Sequence, residues 1–166
     1  MIEKAKISDL PEILQVQKQA FQPVAVVENN DRLPPLVQTL QEITVEYDRR
    51  LFLKYILDGK IVGSVRAHLD ENCICQIGKL VVLPEFQCRG IGAALMEAIE
   101  REFEDSNGYE LFTGSIHEKT VAFYHRLGYK TTRTTIMDGV CMEFMRKDRY
   151  RTEATSHYTS KWRTLE

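Results

Sequence analysis

No apolar run in the chain approaches the ~20 residues of a membrane-spanning helix. The first residues, MIEKAKISDLPEIL, lack the apolar core of a secretion signal. The chain is therefore expected in the cytosol, with no membrane partner. An excess of one charge is missing as well. Lys and Arg number 22 against 24 Asp and Glu, a net charge of -2, which removes the electrostatic case for nucleic acid as a partner. Cysteine is scarce: Cys73, Cys75, Cys88 and Cys141. Cys73 and Cys75 form a C-x-C pair with no second pair at zinc spacing, so no metal is expected. Four thiols in a chain of this size do not read as a disulfide scaffold. There is no repeat or low-complexity tract.

What is present is a soluble, core-forming composition, 43% hydrophobic and 28% charged over 166 residues. That length suits one domain. Residues 2–7 alternate as a strand would. Ser8 and Asp9 offer cap oxygens and Pro11 suits a first helical turn, so a helix is expected from there to about Ala20. FQPVAVVENNDRLPP is rich in breakers and reads as a loop, followed by a second helix over 36–45. Asp58-Gly59 between two β-rich runs signals a hairpin. CICQIGKLVVL then makes a third strand, and Gly78 within it suggests a bulge or a close backbone approach. A helix with Ile91, Leu95 and Ile99 on one face follows. After it come a strand (YELFTGS), a short helix closed by Gly128, and two strands joined by Asp138-Gly139. The order β-α-α-β-β-β-α-β-α-β-β is a mixed α/β or α+β sheet.

QCRGIG, residues 87–92, joins the third strand directly to a helix. Such a joint bares N–H groups, and the helix dipole adds partial positive charge there. With Gly90 and Gly92 lacking Cβ and Arg89 beside them, the loop is suited to phosphate oxygens. It is not a P-loop, because no lysine follows the glycines. It is not a dinucleotide fingerprint, because Leu95 stands where the third glycine belongs.

QCRGIG preceded by LVVLPEF, with FYHRLGYK further on, resembles the GNAT superfamily of acyl-CoA-dependent N-acetyltransferases. Their pyrophosphate loop reads Q/R-x-x-G-x-G/A and their later segment F-Y-x-x-L-G-F/Y. The element order is similar across residues 1–146. The resemblance implies a GNAT fold: a mostly antiparallel sheet of about six to seven strands flanked by about four helices. The strands at 73–82 and 109–115 would splay apart as a V, in one domain over 1–147 with a polar extension at 148–166. It implies acetyl-CoA as cosubstrate, its pantetheine arm along Leu80 and Val82 like an added strand. Its pyrophosphate would sit on Gln87, Cys88, Arg89, Gly90, Ile91, Gly92 and Ala93. Tyr124 would protonate the departing thiolate. Where many members have an asparagine four residues earlier, touching the cofactor, this chain has Thr120. Family members often dimerise through their terminal strands, so a homodimer is implied.

Acetyl transfer needs a neutral amine, donors for the carbonyl oxygen and a proton for the thiolate. Tyrosine, with pKa ~10, holds its proton at neutral pH and can supply it. The strand 73–83 carries no carboxylate, so the base is open among Glu46, Asp48, His68, His117 and a water relay. Cys88 lies in the phosphate loop, away from the thioester, and is taken as a bystander. The acceptor, a small-molecule or peptide amine, is expected near residues 21–35 and the second helix. Glu28, Asp31, Glu42 and Glu46 there would attract its charge. The reading is an N-acetyltransferase acting on a primary amine; the alternative is a non-catalytic acyl-CoA-binding sensor on the same fold.

Overall fold

Asp58-Gly59 and Asp138-Gly139 turn the chain as tight hairpins, with φ of 49° and 77° in the first and 50° and 81° in the second. Both turn positions need positive φ, which Asp and Gly tolerate. The computed structural model describes residues 1–149. The first hairpin joins β2 (Leu51–Leu57) to β3 (Lys60–Leu69), and the second joins β6 (Lys130–Met137) to β7 (Val140–Asp148). With β1 (Ile2–Lys4), β4 (Ile74–Val82) and β5 (Gly108–Gly114) they form one seven-stranded sheet, ordered β1-β2-β3-β4-β5-β7-β6. Every neighbouring pair is antiparallel except β4 and β5. The polar extension expected at 148–166 lies outside the described residues beyond Arg149.

Helices cover both faces. On one, α4 (Ile91–Glu102) and α5 (Glu118–Arg126) pack through Ile91, Leu95, Met96, Ile99 and Tyr124 onto Val65, Ala67, Cys75 and Ile77. On the other, α1 (Leu10–Glu28) and α3 (Leu40–Tyr47) bury Leu10, Ile13, Val16 and Ile43 against Phe52, Ile61 and Val81. Between them lies α2 (Pro34–Val37), a single turn. α3 starts on a capping box: Thr39 Oγ1 accepts from the Glu42 amide at 3.2 Å, and Glu42 Oε2 accepts from the Thr39 amide at 2.7 Å.

The expected loop from Phe21 is instead the last two turns of α1, which runs through Pro23 to Glu28. Proline removes one helical hydrogen bond, but its φ is already helical. Ala25 is buried, Asn29 closes the helix at φ 48°, and tertiary contacts hold the end in place. The helix expected over 36–45 is split into α2 and α3.

The bulge expected at Gly78 falls one residue later. Ser64 pairs with Val81 and Arg66 with Gly78, so Val65 alone faces both Lys79 and Leu80. Lys79 takes φ 51° to fit. The extra residue inverts the facing of the strand. Before it, Cys75 and Ile77 point to the α4 core; after it, Leu80 and Val82 do, and Val81 points to α1. β4 and β5 pair only from Ile74 to Gln76 and from Gly108 to Glu110. Beyond that they part, while β5 stays paired with β7 as far as Gly114. This is the V-shaped opening between the two strands.

Candidate active site

The floor of the V ends in the glycine loop. After β4, Pro84–Phe86 makes one 3-10 turn. Gln87 Nε2 reaches back to donate to the Val82 carbonyl at 3.0 Å, tying the loop to the strand tip. Cys88 at φ 59° and Gly90 at φ 79° swing the chain into α4. The first bond into α4 is from Ala94 N to Gly90 O at 3.0 Å. The amides of residues 88–93 therefore meet no acceptor among the described residues, a row of donors at a helix N-terminus. A Cβ on Gly90 would meet nothing within 4 Å, so this part of the loop is open. Arg89 lies over the Phe86 ring at 5.2 Å. Ile91 is buried and anchors the first turn of α4, and Cys88 is an exposed free thiol.

α5 closes on this loop. A Cβ placed on Gly92 would lie 3.4 Å from Phe123 Cζ and 3.9 Å from Leu80 Cδ2. The loop, the tip of β4 and the Phe123-Tyr124 pair thus meet at Gly92. Tyr124 is 8% exposed, edge-to-face with both Phe123 and Tyr129. Its hydroxyl makes no hydrogen bond to any described residue. By contrast, the Tyr109 hydroxyl donates to Glu100 O at 2.9 Å and that of Tyr129 to Glu100 Oε1 at 2.8 Å. Burial raises the Tyr124 pKa above the ordinary tyrosine range, so its proton stays on. Thr120, one turn earlier, is exposed on the same helix face.

At the other end of the V, His117 precedes α5 and its Nε2 lies 2.7 Å from Glu28 Oε1 at the end of α1. Their side chains are 16% and 8% exposed. A Cβ on Gly114 would come within 2.9 Å of His117 Cδ2, so only glycine there leaves the ring its place.

Against known proteins, the chain matches the Acetyltransferase (GNAT) family over residues 10–129. It belongs to that family. The UPF0157 protein YqkA of Bacillus subtilis (strain 168) is 29% identical over 125 residues, which is 74% of this chain. The chain spans only 35% of the length of YqkA. The crystal structure of smu.2055 from Streptococcus mutans UA159 superposes with a TM-score of 0.77 at 20% identity, covering 89% of this chain and 98% of that one. The PaiA N-acetyltransferase of Thermoplasma acidophilum, solved with coenzyme A, gives 0.73 at 19% identity, covering 90% and 98%.

On this GNAT scaffold the base candidates separate. Glu46 lies on α3, and its Oε2 is 2.8 Å from Arg66 Nε, an ion pair held off hydrogen-bond alignment. Glu46 Oε1 accepts from Gln38 Nε2 at 2.9 Å. Asp48 caps α3 and is exposed. His68, on β3, has a buried Nδ1 without a partner among the described residues. Burial, then the charge of Arg50, lowers its pKa. His117 alone is held by a carboxylate, an arrangement that orients an imidazole for proton transfer.

Sequence reasoning missed two arrangements. The Glu28–His117 pair is hidden when residues 21–35 are read as loop, because the pair needs α1 to run its full length. The second is a group of cations, Arg50, Arg66 and Lys79, on the α3 side of β4. Its one visible sign was Lys79, the one charged residue in CICQIGKLVVL. No group of three or more His, Cys, Asp or Glu side chains suited to a metal occurs among the described residues, and no helix there is long and apolar enough to cross a membrane.

Proposed function

We propose that this domain transfers the acetyl group of acetyl-CoA to a primary amine by direct attack, with Tyr124 as the general acid. The observation that carries the reading is the free hydroxyl of Tyr124, on the helix that closes over a row of unpaired amides. The residues fit the cosubstrate. The amides of residues 88–93 hold the pyrophosphate, helped by the open space at Gly90 and by Arg89. Gln87 positions that loop through its bond to Val82. Leu80 and Val82, on the part of β4 that β5 leaves unpaired, offer backbone groups to the pantetheine arm. Thr120 offers a hydroxyl one turn from Tyr124.

Tyr124 gives its proton to the departing thiolate sulfur and regains, through water, the proton that the nitrogen releases after attack. Its raised pKa keeps it protonated through the physiological range. His117, oriented by Glu28, takes the proton of the incoming ammonium, directly or through a water. The remaining rate comes from holding amine and thioester together in the V.

The test is steady-state transfer with acetyl-CoA and a panel of primary amines, following thiol release. Amine-dependent release, lowered about a hundredfold by Tyr124→Phe, supports the reading. Binding of acetyl-CoA without any amine-dependent release supports a non-catalytic sensor instead.

A further inference from the structure

Three cations meet on the α3 face of the bulge. Arg66 is 1% exposed. Its Nε is 2.8 Å from Glu46 Oε2, and its Nη2 donates to Gln38 Oε1 at 3.1 Å. Gln38 is fixed in turn by Gln17 Nε2 at 2.9 Å. Glu46 is thus ion-paired with Arg66. Two half-buried cations remain. The guanidinium of Arg50 lies beside Gly78, its Nη1 3.9 Å from where a Cβ would sit. The ammonium of Lys79 stands in the bulge, within reach of the charges of Arg66, Arg50 and Glu46. Neither Arg50 nor Lys79 has an ion pair or a side-chain hydrogen bond among the described residues. Burial, then the neighbouring Arg66, lowers the Lys79 pKa to about 8. Glu46 is the one carboxylate acting on Lys79, so three cations here share a single counter-charge, which is unfavourable unless something supplies a further anion.

Position says what that anion belongs to. Lys79 immediately precedes Leu80, to which the acetyl-transfer reading gives the pantetheine arm. The two side chains leave opposite faces of β4, Leu80 toward α4 and Lys79 toward α3. An anion held by Lys79 and Arg50 therefore lies across the strand from acetyl-CoA, where the acceptor enters. Resting on that reading of the site, we infer that the acceptor is a small primary amine carrying a carboxylate, bound by the Arg50 fork and the Lys79 ammonium. A planar guanidinium takes a carboxylate in two parallel hydrogen bonds, and an ammonium adds a point charge. On the same reading the Glu28–His117 pair takes the proton of the amine, so the carboxylate and the ammonium of such a molecule have separate partners.

The experiment compares β-alanine with its neutral amide, β-alaninamide, and with 2-aminoethylphosphonate, using acetyl-CoA and the full chain. The expected result is a kcat/KM for β-alanine at least about thirtyfold above that for the amide and above that for the phosphonate. Lys79→Met and Arg50→Met should each raise KM for β-alanine about tenfold, shrinking its preference over the amide. A readout free of turnover accompanies it. β-Alanine should raise the unfolding temperature of the wild type and raise that of Lys79→Met less. Turnover with equal use of the amide, or a preference untouched by both variants, overturns this inference and leaves acetyl transfer standing. A preference for the phosphonate overturns the carboxylate in favour of a phosphorylated acceptor. No acetyl-CoA binding by calorimetry and no turnover with any amine overturn both readings together.

Discussion

Tyr124 and Tyr129 pack edge to face with ring centroids 6.0 Å apart, and their hydroxyls have opposite fates. Tyr129 donates to Glu100 Oε1 at 2.8 Å, and that carboxylate also pairs with Lys147 at 2.6 Å. Tyr124 donates to nothing described. Tyr129→Phe should therefore lose about 1 kcal/mol of stability and keep its transfer rate. Tyr124→Phe should stay within about 0.5 kcal/mol of wild type and lose about a hundredfold in kcat. Denaturant melts and steady-state kinetics on the two variants check the contrast. Because burial raises the Tyr124 pKa, this acid does not cause a fall in kcat below the ordinary tyrosine range, near pH ~10.

Gly90 and Gly92 have different reasons to be glycine. Gly90 sits at φ 79° with open space around it, so Gly90→Ala meets no neighbour but strains the backbone by about 1–2 kcal/mol. Relief of that strain redirects the amides of residues 88–93, and the Kd for acetyl-CoA should rise about tenfold. At Gly92 the φ is ordinary and a Cβ meets Phe123 at van der Waals distance. Gly92→Ala should lose less stability than Gly90→Ala. Calorimetric titration with acetyl-CoA beside thermal melts separates the two effects.

His117 and Glu28 couple the end of α1 to the start of α5. His117→Ala should lower kcat/KM about a hundredfold. Glu28→Gln, which keeps the shape but loses the charge, should fall between that variant and wild type. An unaltered kcat/KM in His117→Ala would return the base to a water relay.

Lys79 is held in the structure against its own stability. Its pKa is lowered to about 8 by burial and by Arg66 and Arg50, against the opposing pull of Glu46; burial and Arg50 also lower that of His68 on β3. Between pH ~8 and ~10.4 the unfolded chain binds a proton that the folded chain has released. Stability therefore rises with pH across that window, and the full penalty is present below it. Lys79→Met should be more stable than wild type at pH 7, on the order of 1–3 kcal/mol, with the gap narrowing as pH climbs from 8 toward 10.4. Melts of the two proteins across that range show it.

The frame of the fold was legible because local chemistry and the final structure agree there. Asp58-Gly59, Asp138-Gly139 and Gly128 take the positive φ their sequence suggests, and the face drawn through Ile91, Leu95 and Ile99 is the face that packs. The failures lie where long-range contacts override local preference. Pro23 looks like a breaker, yet the helix passes through it to bring Glu28 to His117, a partner 89 residues away. Gly78 looks like the bulge, yet the extra residue is Lys79, because the register is set by the pairing of β3 with both ends of β4. In the candidate site, the glycine loop could be read from its own residues, whereas Tyr124 was singled out only through the resemblance of FYHRLGYK to the family's segment. The two charged arrangements, Glu28–His117 and Arg50–Arg66–Lys79, could not, because each joins residues from separate elements whose meeting depends on the bulge or on the length of α1.

The central claim is acetyl transfer assisted by Tyr124, and the most direct measurement is amine-dependent thiol release from acetyl-CoA by wild type and Tyr124→Phe, side by side at saturating substrate. The account predicts release that requires the amine and an N-acetylated product, with kcat about a hundredfold lower in the variant. Equal rates in the two proteins, or no amine-dependent release from wild type that binds acetyl-CoA, would contradict it.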